Sequence, residues 1–162
     1  MKLFQILLML CCSNFIFGQA TTINKGYAFY KAYLPGMQKV DQNNNPIKPQ
    51  VTLERIIYLE CKVETKMTVV QVSYNSILLK PIEVTRVANK IIVGVNPNTG
   101  SAITIKSKKG YSFWMVALEP TYKKEENFGK NLRTIVIKTL AGTKSINYLL
   151  NAEAELTAPE MM

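Results

Sequence analysis

The sequence predicts an all-β fold: a two-sheet antiparallel β-sandwich of about eight or nine strands. Three observations carry that expectation. Apolar residues recur with a period of two along most of the chain, turn residues break it at short intervals, and no segment shows a convincing helical stripe. Short turns between neighbours favour antiparallel pairs, and strand number points to an immunoglobulin-like Greek key. The cysteine–tryptophan–cysteine core of antibody domains is absent, so a small closed β-barrel is the alternative.

Residues 1–18 read as a secretory signal peptide. Lys2 provides the basic start, 3–10 an apolar run, and Gly18 or Ala20 the small residue after which cleavage fits. The apolar stretch is interrupted by Asn14 and is shorter than the roughly 20 residues that cross a bilayer. Neither Cys11 nor Cys12 follows the small residues that a lipoprotein signal requires. The expected destination is the periplasm, the cell surface or the medium, with no transmembrane anchor after cleavage. Loss of the signal removes Lys2 and takes the formal charge from +9 to +8. Two of the three cysteines leave with it, so Cys61 stands alone and no intramolecular disulfide can form. No N-x-S/T sequon occurs among the many asparagines, as suits a bacterial chain.

The remainder, 19–151, reads as one domain, with 152–162 as a frayed tail. The segment 26–34 is an aromatic-rich strand ending at Pro35-Gly36, and 36–50, with three consecutive asparagines, is a long loop. Alternation is clearest over 51–63, where Val51, Leu53, Ile57, Leu59, Cys61 and Val63 share a face broken by Arg55. The other face, with Glu54, Glu60, Lys62 and Glu64, reads as wet. A helix after Pro49 is the rival for this segment, and its β-branched content favours the strand. Strands are expected at 68–74, at 82–88 and 91–95 joined by a tight hairpin at Asn89-Lys90, and at 103–106 before a hairpin turn at 107–110. The segment 111–118 is apolar on both faces, so it is central or carries an exposed aromatic surface. A second loop covers 119–130, and 132–140 pairs with 145–150 around Ala141-Gly142.

Composition excludes much chemistry. With 48% apolar residues the chain is too hydrophobic to be disordered, and its complete lack of histidine removes Ser–His and Cys–His catalysis and histidine-ligated zinc. Cys61 shares parity with Leu59 and Val63 and has no partner base, so it reads as a core residue. Asp41, Asn43 and Asn45 open like a calcium loop. The match fails at Pro46, where a glycine belongs, and at Thr52, where a bidentate glutamate belongs. Glu60 and Glu64, four residues apart on a strand, are separated by about 13 Å. A glycosidase pair needs roughly 5 to 9.5 Å. No phosphate loop, metal set or cofactor motif is present.

Twenty basic residues against eleven acidic ones leave a surface to explain. Lys106, Lys108 and Lys109 cluster beside Tyr111, and Lys123, Lys124 and Lys130 lie in the second loop with Tyr122 and Phe128. Such groups could grip an anionic polysaccharide, or simply keep the surface soluble. Export argues against nucleic acid. Tyr27, Phe29 and Tyr33 on the first strand, and Trp114 on the doubly apolar one, are candidates for an aromatic interaction surface or for core. The expected function is a non-catalytic binding or structural module of the cell envelope, docking another protein on a strand edge or aromatic face. An anionic-glycan binder and a small carboxylate-dependent hydrolase are the alternatives.

Overall fold

The alternation that marks 51–63 produces a strand at Val51–Lys62, and the same period sets nearly every other element. The computed structural model describes residues 23–33, 40–44, 51–123, 134–141 and 144–157; the expected signal peptide, most of the first loop and 124–133 lie outside the described residues. The strands are β1 (Ile23–Tyr33), β2 (Val51–Lys62), β3 (Thr68–Tyr74), β4 (Ile77–Leu79), β5 (Pro81–Val87), β6 (Lys90–Val95), β7 (Ala102–Lys106), β8 (Tyr111–Leu118), β9 (Thr121–Lys123), β10 (Ile135–Ala141), β11 (Lys144–Leu150) and β12 (Ala154–Leu156).

One large sheet runs β12-β1-β2-β8-β5 with β9 on the start of β2, the other runs β11-β10-β3-β4, and β6 and β7 form a separate hairpin. Both large sheets have two ends, so the fold is a sandwich and not a barrel. The inner orders β1-β2-β8-β5 and β11-β10-β3 reproduce the A-B-E-D and G-F-C sheets of an immunoglobulin-like Greek key. β4 and β5 form one edge run that leaves one sheet for the other at Lys80. The crossing is pinned where Glu119 N–H donates to the Lys80 carbonyl at 2.9 Å. The β6–β7 hairpin is an insertion between the D and E equivalents.

That hairpin makes the large sheet central. Its inner face, with Ala28, Ile57, Leu59 and Val116, meets Val72, Ile135 and Ile137 of the second sheet. The layers approach closely at Gly26, where an added Cβ would lie 2.8 Å from Tyr148 Cε1 and 2.9 Å from Leu150 Cδ2. The outer face carries Phe29, Tyr58 and Phe113, which pack under Val93 and Ile105 of the hairpin and Leu156 of β12. Edge-to-face contacts knit this second core, with ring centroids 6.0 Å apart for Phe29–Tyr58 and for Tyr27–Phe113. A strand covered on both faces must be apolar on both, which accounts for 111–118.

Several expectations are corrected. β5 and β6 are not a hairpin: β5 pairs with β8 and β6 with β7, because Ala88 and Asn89 carry the chain between layers. The turn 107–110 likewise joins the outer hairpin to the central sheet and pairs no strands. The outer face of β2 is wet only in part: Glu54 and Lys62 are exposed, whereas Tyr58 and Glu60 are buried. Residues 121–123 of the second loop form β9 against the start of β2. The tail does not fray at 154–156: β12 pairs parallel with β1 and buries Leu156 against Gly94. Three-residue strands such as β4, β9 and β12 take the number among the described residues to twelve, where eight or nine were expected. Segments that short have no period to read.

Candidate functional site: a basic end and an open edge

Glu60 organises one end of the molecule. It sits on the outer face of β2, 4% exposed, where a carboxylate needs strong donors. A bulge between Ile23 and Lys25 frees Asn24 from the β1–β2 ladder. Its Nδ2 donates to Glu60 Oε2 at 2.6 Å, while Lys108 N–H donates to Oε1 at 2.7 Å. The 107–110 turn is thereby tied to β1 and β2. The Lys108 ammonium donates to Asn24 Oδ1 at 2.8 Å and lies 4.2 Å from the Tyr111 ring centroid. Gly110, at φ 81°, closes the turn, and Ser107 Oγ donates to the Tyr111 carbonyl at 2.8 Å.

Of the expected lysines, the structure gathers Lys106, Lys108 and Lys109 with Tyr111 at this end and adds Lys25, Lys62 and Lys90. Lys62 is opposite Tyr111, and Lys90 is directly opposite Lys106 in the hairpin. Of the second group, only Lys123 falls among the described residues. Lys123 pairs with Val51 at the far end of β2, about 36 Å from Lys62 at the usual strand rise, and Lys124 and Lys130 lie outside the described residues. Lys25, Lys62 and Lys90 lie far from 106–109 in the sequence, so nothing local joins them to that cluster. The turn-rich 96–101, had it been taken as the tip of a hairpin, would have placed Lys90 beside Lys106.

The aromatic candidates are mostly core. Phe29 is buried in the outer cluster, with half-buried Tyr27 packed against it. Trp114 packs on the inter-sheet core under the Arg86 guanidinium, 5.2 Å from its ring centroid. Tyr33, half-buried, has its phenol raised above the ordinary range by burial first and by its hydrogen bond to Glu54 second.

Catalytic chemistry finds little to work with. The three glutamates of the expected charged face are separated in role: Glu54 and Glu64 are exposed, whereas Glu60 is committed to Asn24 and Lys108. Among the described residues no group of three His, Cys, Asp or Glu could hold a metal ion. In the first loop, Asp41 Oδ1 accepts from Asn43 N–H at 2.8 Å, an ordinary turn. Cys61 is fully buried, and desolvation chiefly, with the Glu60 charge, pushes its thiol up to about 12. Cys61 is therefore expected to resist a thiol reagent in the native protein and to react with it in denaturant. The native thiol keeps its proton up to about 12 while the unfolded one ionises near 9.0. Its contribution to stability is complete below pH 9 and lost as pH rises towards 12. The denaturant midpoint should fall over that range, less steeply in Cys61→Ala.

The four sheet ends differ in how they are defended. β4 and β12 have three residues each, and β5 opens with Pro81, bulges between Pro81 and Glu83, and exposes Glu83 and Arg86. These are the devices that keep sheets from pairing with strangers. β11 has none of them within 145–150: no proline, no charge, and an unbroken seven-pair ladder with β10. Its Leu149 is 53% exposed and begins an outward row with Val136, Ser73 and Leu78, which is 61% exposed.

Fold and surface together define an immunoglobulin-like sandwich with a covered outer face, a basic end and, among the described residues, a β11 edge without proline, bulge or charge after Lys144. No protein-family model, curated protein or solved structure matches the chain. No helix among the described residues is long and apolar enough to cross a membrane.

Proposed function

We propose that this protein is an exported, non-catalytic interaction module of the cell envelope that binds another protein by strand addition at β11. The observation that carries the reading is the undefended β11 edge beside the exposed Leu149–Leu78 row. A partner segment in extended conformation would complete the free backbone groups of β11, and its alternate apolar side chains would cover Leu149. Export rests on the N-terminal sequence, and the non-catalytic reading on the lack of histidine and the commitment of Glu60 and Cys61 to the interior.

The test is enrichment of the tagged mature domain from its own envelope, with wild type and Leu149→Asn compared at low and high salt. One stoichiometric protein that persists at high salt is expected, with amide exchange slowed along 144–150 in the complex. Leu149→Asn should weaken it about ten-fold or more, as befits a leucine worth roughly 1.5–3 kcal/mol when covered. A retained protein indifferent to Leu149→Asn, or none retained, would overturn the reading.

A further inference from the structure

Lys90 and Lys106 are a cross-strand pair of like charge, both exposed. Side chains directly opposite on one face stand close, and like charges there oppose folding. Among the described residues no carboxylate forms an ion pair with Lys62, Lys90, Lys106 or Lys109. The adjoining turn adds Lys108, whose backbone is fixed by a buried carboxylate and whose ammonium is held over Tyr111. A surface needing only solubility has no reason to set lysines face to face and to spend a buried glutamate on positioning the turn beside them.

We propose that this end of the molecule is a binding site for an anionic polysaccharide, with Lys90, Lys106 and Lys108 as its central cations. A polymer with one carboxylate per sugar can lie across the hairpin and the turn. It would relieve the Lys90–Lys106 repulsion while a sugar face packs on Tyr111. The site does not depend on strand addition at β11, because none of these lysines belongs to that edge.

The probe is polygalacturonate, titrated against the mature protein at low salt, with poly(dT) as the competing class of polyanion. Three proteins are compared: wild type, Lys90→Gln/Lys106→Gln/Lys108→Gln, and a control of equal net charge, Lys31→Gln/Lys80→Gln/Lys138→Gln. Wild type and control are expected to bind, with affinity falling steeply as salt rises, and the site variant to bind about ten-fold more weakly or worse. Leu149→Asn should bind polygalacturonate as wild type does, which separates failure of this site from failure of the β11 reading. Lys106→Gln alone should melt above wild type at low salt. Equal losses in both triple variants, no loss in either, no binding by wild type, tighter retention of poly(dT), or a lower melting temperature for Lys106→Gln would each overturn the proposal.

Discussion

Phe113→Ala is expected to destabilise the protein by about 3–5 kcal/mol, as large-to-small changes of a buried phenylalanine do. Phe113 is fully inaccessible, at 0% exposure, and its ring meets Tyr27 and Tyr58 edge to face at 6.0 and 6.4 Å. It lies on the outer face of β8, where Val93 and Ile105 of the hairpin press on the same cluster. The loss should therefore loosen the hairpin as well as the whole domain. Denaturant unfolding would measure the first effect, and faster amide exchange across 90–106 than across β3 and β10 would show the second. Unfolding within 1 kcal/mol of wild type would mean that the hairpin does not seal this face.

Arg55→Leu is expected to cost a similar amount, about 3–5 kcal/mol, for an electrostatic reason. Arg55 breaks the apolar face of β2, and its burial is compensated on several sides. Its Nε lies 3.3 Å from Glu153 Oε1, a charge contact outside hydrogen-bond geometry, and the Glu153 side chain is 2% exposed. Its Nη1 donates to Thr121 Oγ1 at 2.6 Å, and the guanidinium lies 4.9 Å from the Tyr74 ring centroid. Removing the cation withdraws the charge that compensates a buried carboxylate. Arg55→Leu/Glu153→Leu should recover part of the loss, since a buried pair replaced by apolar residues is often neutral. The double-mutant cycle, read by denaturant unfolding, gives the coupling directly, and an uncoupled result would remove the ion pair from the account.

The sequence by itself determined the class of fold and most strands, because the period of two is a local property of the chain. Each residue of β2 or β3 declares its face within a few positions, and turn residues such as Asn96 and Gly100 mark the ends. Parity alone also sent Cys61 to the core and flagged Arg55 as the exception on its face. The doubly apolar 111–118 was legible as a choice between a central strand and an exposed aromatic surface.

Only the tertiary structure decided that choice, because strand partners are set by packing between segments far apart in the chain. A single hairpin laid over the central sheet turned Tyr27 and Phe29 from a candidate surface into part of a second core with Tyr58 and Phe113, and took Glu60 out of water. The same packing brought Lys25, Lys62 and Lys90, each far from 106–109 in the sequence, to the lysine turn, and left Lys123 at the opposite end of β2. Period tells a side chain which way to face, but only the assembled layers determine what it faces and which edge stays open.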